Sequence, residues 1–105
     1  MYLGELNSLN RIKRIEPKKT LRAVNFMCNA PQAKSVELVG DFNNWDPAVH
    51  PMQRRPDGCW FLQVELPHGH HRYMFRVDGV LQLDPKAHGI ARNEKGERVS
   101  LIAVS

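Results

Sequence analysis

Gly58-Cys59-Trp60-Phe61-Leu62-Gln63-Val64-Glu65-Leu66-Pro67-His68-Gly69-His70-His71-Arg72-Tyr73-Met74-Phe75-Arg76-Val77-Asp78-Gly79 is the stretch that decides the fold. It holds two runs of period two. Trp60, Leu62, Val64 and Leu66 alternate with Phe61, Gln63 and Glu65, and Pro67-His68-Gly69 then turns the chain. After the turn, His71, Tyr73, Phe75 and Val77 alternate with Arg72, Met74 and Arg76. Successive side chains of a strand point to opposite faces, so each run predicts a strand with one apolar face. Asp78-Gly79 closes the second run as a hairpin signal.

The same period extends outward on both sides. Upstream, Val24, Phe26 and Cys28 alternate with Asn25, Met27 and Asn29 until Ala30-Pro31; Val36, Leu38 and Phe42 follow, interrupted by Gly40, which reads as a bulge. Arg54-Arg55-Pro56-Asp57-Gly58 is a turn signal. Downstream, Val80 to Leu83 reads as a short return strand stopped by Asp84-Pro85, Lys86 to Gly96 as a loop, and Val99, Leu101 and Ala103 or their neighbours as the last strand. Six to eight short antiparallel strands, with turns about every eight to twelve residues, predict an all-β immunoglobulin-like sandwich over residues 20–105. No βαβ alternation is present.

A chain of 105 residues fits one domain. Its net charge of +4 falls on residues 1–22, where Arg11, Lys13, Arg14, Lys18, Lys19 and Arg22 outweigh Glu5 and Glu16, and the rest is neutral. Residues 1–19 therefore read as a basic appendage. Leu3, Leu6, Leu9, Ile12 and Ile15 recur every third residue and spiral around a helix surface, so either a short helix or a tail closed by Pro17 fits. With no aromatics interleaving the basic residues, nucleic acid is a weak expectation. Apolar runs fall short of the roughly 18 residues that cross a bilayer. The N-terminus has no signal-peptide pattern, which favours a cytoplasmic protein or a piece of a larger one. Cys28 and Cys59 read as reduced, buried small hydrophobes; a disulfide between neighbouring strands would need an oxidising compartment.

Asp41-Phe42-Asn43-Asn44-Trp45-Asp46-Pro47 places an aromatic within a polar, turn-rich loop. A tryptophan there needs a pocket of its own, as a lid on the sandwich edge, or a flat ligand to stack on. Sugar rings are such ligands: their C–H faces stack on indole while amides such as Asn43 and Asn44 bond hydroxyls or shape the loop.

Taken together, Ala30-Pro31, Val36 to Pro47, Gly58-Cys59-Trp60, Leu66 to Gly69, Tyr73 to Gly79 and Asp84-Pro85 resemble the glycogen-binding domain of the AMP-activated protein kinase β subunit. This is carbohydrate-binding module family 48, which also precedes the catalytic barrel of branching and debranching enzymes. The resemblance implies an early-set immunoglobulin-like sandwich and an α-glucan ligand (glycogen, starch or maltooligosaccharide). It implies that Trp45 stacks on a glucose ring. Other family contacts are replaced: Met74 stands for a lysine, Val80-Leu81 for a second stacking tryptophan, Lys95 for a leucine that packs on the glucan, and Val99 for an asparagine. Each such contact contributes about 1–2 kcal/mol, so losing three weakens binding by orders of magnitude unless Asn43, Asn44, Gln82 or Asn93 compensates. Fold and glucan binding are therefore separate questions. Two readings stay open: a glucan-binding module centred on Trp45, or a protein-interaction module in which Met74 and Leu81 meet a protein partner or a glycan-active enzyme.

No catalytic residue, metal site or cofactor is expected. Asp41, Asp46, Asp78 and Asp84 read as turn carboxylates, not as a facing pair that could cleave a glycoside. His68, His70 and His71 crowd one turn, but His70 and His71 point to opposite faces and cannot share an ion without distortion. His50 and His88 read as exposed loop histidines, and Trp60 as a core aromatic.

Overall fold

The structure, a computed structural model, describes residues 20–105; the basic arm expected over residues 1–19 lies outside them. Eight strands run in the order β1 (Leu21–Asn29), β2 (Val36–Gly40), β3 (Gln53–Arg54), β4 (Cys59–Pro67), β5 (Gly69–Val77), β6 (Val80–Gln82), β7 (Gly89–Arg92) and β8 (Arg98–Val104). Between β2 and β3 sits one turn of 3-10 helix, Asp41–Asn43. One sheet has the order β1-β4-β3; the other has β2-β5-β8-β7, with β6 also on β5. Every pairing is antiparallel. The chain is thus the immunoglobulin-like sandwich its alternation predicts. Among the described residues no helix is long and apolar enough to cross a membrane.

The two deciding runs lie in different sheets. β4 pairs with β1 over its whole length, and β5 pairs with β2 and β8. Only His68 separates β4 from β5, so the chain changes sheets at this point, where Gly69 adopts φ +131°. Phe26, Trp60 and Leu66 from the first sheet meet Leu38, Tyr73 and Phe75 from the second in one core. The Phe26 and Tyr73 rings meet edge to face at 5.0 Å. Burying each of these side chains contributes about 1.5–3 kcal/mol. Trp60 packs as expected, its Nε1–H donating to Ala30 O at 2.9 Å.

Polar groups at the strand ends are tied to backbone. Asp78 and Gly79 both take positive φ, +48° and +85°, as a tight hairpin turn requires. Asp78 Oδ1 accepts the Lys34 and Ser35 N–H groups at 2.8 and 2.9 Å. These bonds hold its carboxyl below the usual range. Tyr73 Oη donates to Asp84 Oδ2 at 2.5 Å, while Ser100 Oγ accepts the Asp84 N–H at 2.8 Å. Burial first, then Asp84, pushes the Tyr73 phenol far above its ordinary value.

Several expectations give way. Residues 86–96 are not all loop, because β7 pairs there with β8, Gly89 facing Leu101 and Arg92 facing Arg98. Gly40 is no bulge: it pairs in register with Tyr73. A Cβ on Gly40 would lie 2.6 Å from Arg72 O and 2.7 Å from the Phe42 ring, so close approach explains the glycine. Cys28 and Cys59 are free thiols, with Cys28 buried and Cys59 half-buried. Cys28 faces Trp60 and Cys59 faces Asn29, so the register turns the two sulfurs to opposite sides of the sheet. His50 is half-buried beside Asn43, not an exposed loop histidine. His88 is exposed, and its Nδ1 accepts the Ala103 N–H.

Candidate functional site

The site is built on the outer face of the β2-β5-β8-β7 sheet. Tyr73 and Phe75 point into the core, so Arg72, Met74 and Arg76 point out. Cross-strand pairing sets Val39 beside Met74 and Leu81 beside Arg76. Val99 precedes Ser100, the partner of Tyr73, and so continues the Met74 row onto β8. Val39 and Val99 are 2% and 1% exposed yet stand apart from the main core cluster, so the outer face carries its own cover.

Over this face the Asp41–Asp46 segment presents Trp45. Asn43 is buried, and its side chain organises the turn: Oδ1 accepts the Gly40 N–H at 3.0 Å, Nδ2 donates to Leu38 O at 3.0 Å and meets His50 Nδ1 at 2.8 Å. Asp41 Oδ2 accepts the Arg72 N–H at 3.0 Å, joining the turn to β5. Asp46 Oδ1 accepts the Ala48 N–H at 2.9 Å, closing the loop. Asn44 and Trp45 then both adopt left-handed backbone, φ +57° and +58°, and the Trp45 N–H donates to Gly40 O at 2.9 Å. Asparagine tolerates that region; tryptophan rarely does. Holding it there costs on the order of 1–2 kcal/mol, which the Asn43 bonds offset. The result is a half-buried indole fixed at the edge of the sheet.

Trp45, Met74, Leu81, Lys95 and Val99 line one open groove of about 800 Å³. Four of the expected site residues are therefore neighbours. Leu81 is 55% exposed, whereas Val99 has almost no free surface. Asn43 lies beneath the groove in the loop-shaping role, its amide committed to backbone and His50 and not free for hydroxyls. Asn44 is exposed at the turn and Gln82 is exposed on β6; neither lines the groove. Asn93 does line it, with Oδ1 accepting the Lys95 and Glu97 N–H groups at 2.9 Å.

The remaining lining is charged: Arg72, Arg92 and Arg98 with Asp41, Glu94 and Glu97. Sequence reading missed these. Arg72 was within reach of it, being two residues from Met74 on an alternating strand. Arg92 and Arg98 come together only through the unexpected β7–β8 hairpin. The acids Asp41 and Asp46 bond backbone N–H groups, so they are turn carboxylates. His71 turns inward, its Nε2 2.9 Å from Pro67 O and its Nδ1 3.7 Å from Asp41, while His70 points out. Among the described residues, no three His, Cys, Asp or Glu side chains gather as metal ligands would.

An aromatic edge, an apolar floor and charged walls suit a flat amphipathic ligand such as a sugar chain. Comparison with known proteins bears on that chemistry. The model of carbohydrate-binding module 48 (isoamylase N-terminal domain) matches residues 14–87. The 1,4-alpha-glucan branching enzyme GlgB of Novosphingobium aromaticivorans is 38% identical over 87 residues, 78% of this chain and 12% of that protein. The branching enzyme GlgB 2 of Xanthomonas campestris pv. campestris is 42% identical over 72 residues, 64% of this chain and 10% of that protein. The GlgB of Deinococcus radiodurans is 42% identical over 60 residues, 57% of this chain and 8% of that protein. The chain thus spans about a tenth of the length of these relatives. With its sandwich fold and a match over most of its length, this chain belongs to the carbohydrate-binding module 48 family.

Proposed function

We propose that this domain is a non-catalytic α-glucan-binding module that holds glycogen, starch or a maltooligosaccharide against Trp45. The observation that carries this reading is the strained presentation of Trp45 over a groove shared with Met74, Leu81 and Lys95. A tryptophan kept in left-handed backbone by a buried asparagine is more than a fold needs at a loop tip. Met74 and Leu81 add apolar surface for the C–H face of a second sugar ring, where the AMP-activated protein kinase type of module carries lysine and tryptophan. Lys95 and Asn93 supply donors at the far wall. Relatives named as 1,4-alpha-glucan branching enzymes suggest the setting: a glucan chain held near a glycan-active enzyme.

The test is titration with β-cyclodextrin, comparing the wild type with Trp45→Ala. Binding in the millimolar range or tighter, lost in the variant, supports the reading. Absence of binding, or binding indifferent to the substitution, contradicts it.

A second reading is favoured by the exposure of Val80 and Leu81, 60% and 55%. These neighbours on β6 form an apolar edge suited to a protein partner. Crosslinking that captures a glycan-active enzyme in the wild type but not in Leu81→Asp would support it. Equal capture by both would count against it.

A further inference from the structure

We infer that the groove recognises an α-glucan chain bearing a phosphate monoester, with Arg92 and Arg98 receiving the phosphate. The inference rests on the glucan reading above and adds the ligand's charge. Arg92 and Arg98 stand directly opposite each other on β7 and β8. Cross-strand neighbours have Cβ atoms about 4.5–5.5 Å apart, and like charges so placed repel. Neither arginine forms an ion pair: among the described residues the ion pairs are His71–Asp41 and Arg76–Glu37. Arg92 Nη1 donates to Gly96 O at 2.6 Å, which steadies one guanidinium and leaves its other donors free. Arg72 and Lys95 line the same groove and also lack a carboxylate partner among the described residues.

Of the three acids in the lining, two have partners already. Asp41 holds the Arg72 N–H and faces His71, and Glu97 Oε1 accepts Asn93 Nδ2–H at 2.9 Å. Those bonds leave the carboxylate charges in place, so three acids face four cations and the lining carries a surplus of one positive charge. Hydroxyls of a neutral glucan do not require such an excess. A phosphate monoester does, since its three terminal oxygens can be shared among two planar guanidinium forks and an ammonium. The sugar that carries it would stack near Trp45, Met74 and Leu81, with the ester reaching the cations that line the same groove.

The experiment is isothermal titration of the wild type, Arg98→Gln and Arg72→Gln/Arg98→Gln. The two ligands are maltoheptaose and maltoheptaose carrying one phosphate monoester. The phosphorylated chain should bind the wild type roughly tenfold more tightly or better, an advantage that shrinks at high salt. Arg98→Gln should remove most of that advantage, bringing the ratio of the two affinities toward one. Thermal melts of Arg98→Gln at or above the wild-type midpoint would accord with a repelling pair having been relieved. Equal binding of the two chains by the wild type overturns the phosphate inference and leaves the glucan reading standing. Binding of neither chain overturns the glucan reading, and this inference with it.

Discussion

Replacing Asn43 by alanine should unfold the Trp45 loop before it touches any ligand. The side chain is buried and bonds Gly40 N–H, Leu38 O and the His50 ring, at 3.0, 3.0 and 2.8 Å. Each bond contributes about 1 kcal/mol net, and the partners left behind are themselves covered, so the loss comes to about 3 kcal/mol. A domain of this size has a stability of about 4–13 kcal/mol, so the variant stays folded with a narrow margin. In urea, with a slope near 1 kcal/mol per M, the midpoint should fall by about 3 M. Loss of the turn also releases Trp45 from left-handed backbone, so glucan binding should fall even where circular dichroism reports a folded sandwich. A midpoint within about 0.5 M of wild type would refute the reasoning, because the amide would then be dispensable to the turn.

Three further outcomes follow from single contacts. Asp78 has a depressed pKa because it accepts the Ser35 and Lys34 N–H groups, so it adds stability above the unfolded carboxylate range and loses it as pH falls through the folded value. Asp78→Asn keeps a residue that tolerates φ +48°, and should lower stability at neutral pH while flattening the acid limb of a melting-temperature profile. Gly40→Ala would drive a Cβ to 2.6 Å from Arg72 O, where backbone cannot yield cheaply; destabilisation of about 2–3 kcal/mol in chemical denaturation is expected. Tyr73→Phe removes the 2.5 Å bond to the half-buried Asp84 and should cost about 1–2 kcal/mol, checked by thermal melts above and below the carboxylate range.

The sandwich was legible where side chains alternate and face one core. Trp60 to Val77 gave β4 and β5 almost to the residue, and Asp78-Gly79 gave its turn. β7 escaped because its pattern is inverted: Ile90 is 50% exposed while Gly89 and Ala91 are partly covered. Alternation of hydrophobicity has nothing to report there. Strand alternation also does not say which strands pair, so the change of sheet at His68 and the meeting of Arg92 with Arg98 emerge only in three dimensions. In the candidate site, Trp45, Met74, Leu81 and Lys95 were found by motif resemblance, and they share one groove. The two asparagines of the loop differ for a geometric reason. Asn43 falls under the turn, where only an amide can serve Gly40 N–H and Leu38 O together, while Asn44 takes the left-handed position.

The most direct test of a glucan surface at Trp45 is an NMR titration with maltoheptaose that follows the two indole N–H resonances. Trp60 Nε1–H is bonded to Ala30 O inside the sandwich and serves as the internal reference. The account predicts a saturable shift of the Trp45 indole together with the Met74 and Leu81 methyls, with Trp60 unmoved. Shifts confined to the opposite sheet, around Met27 and Phe61, or none at millimolar sugar, would contradict it.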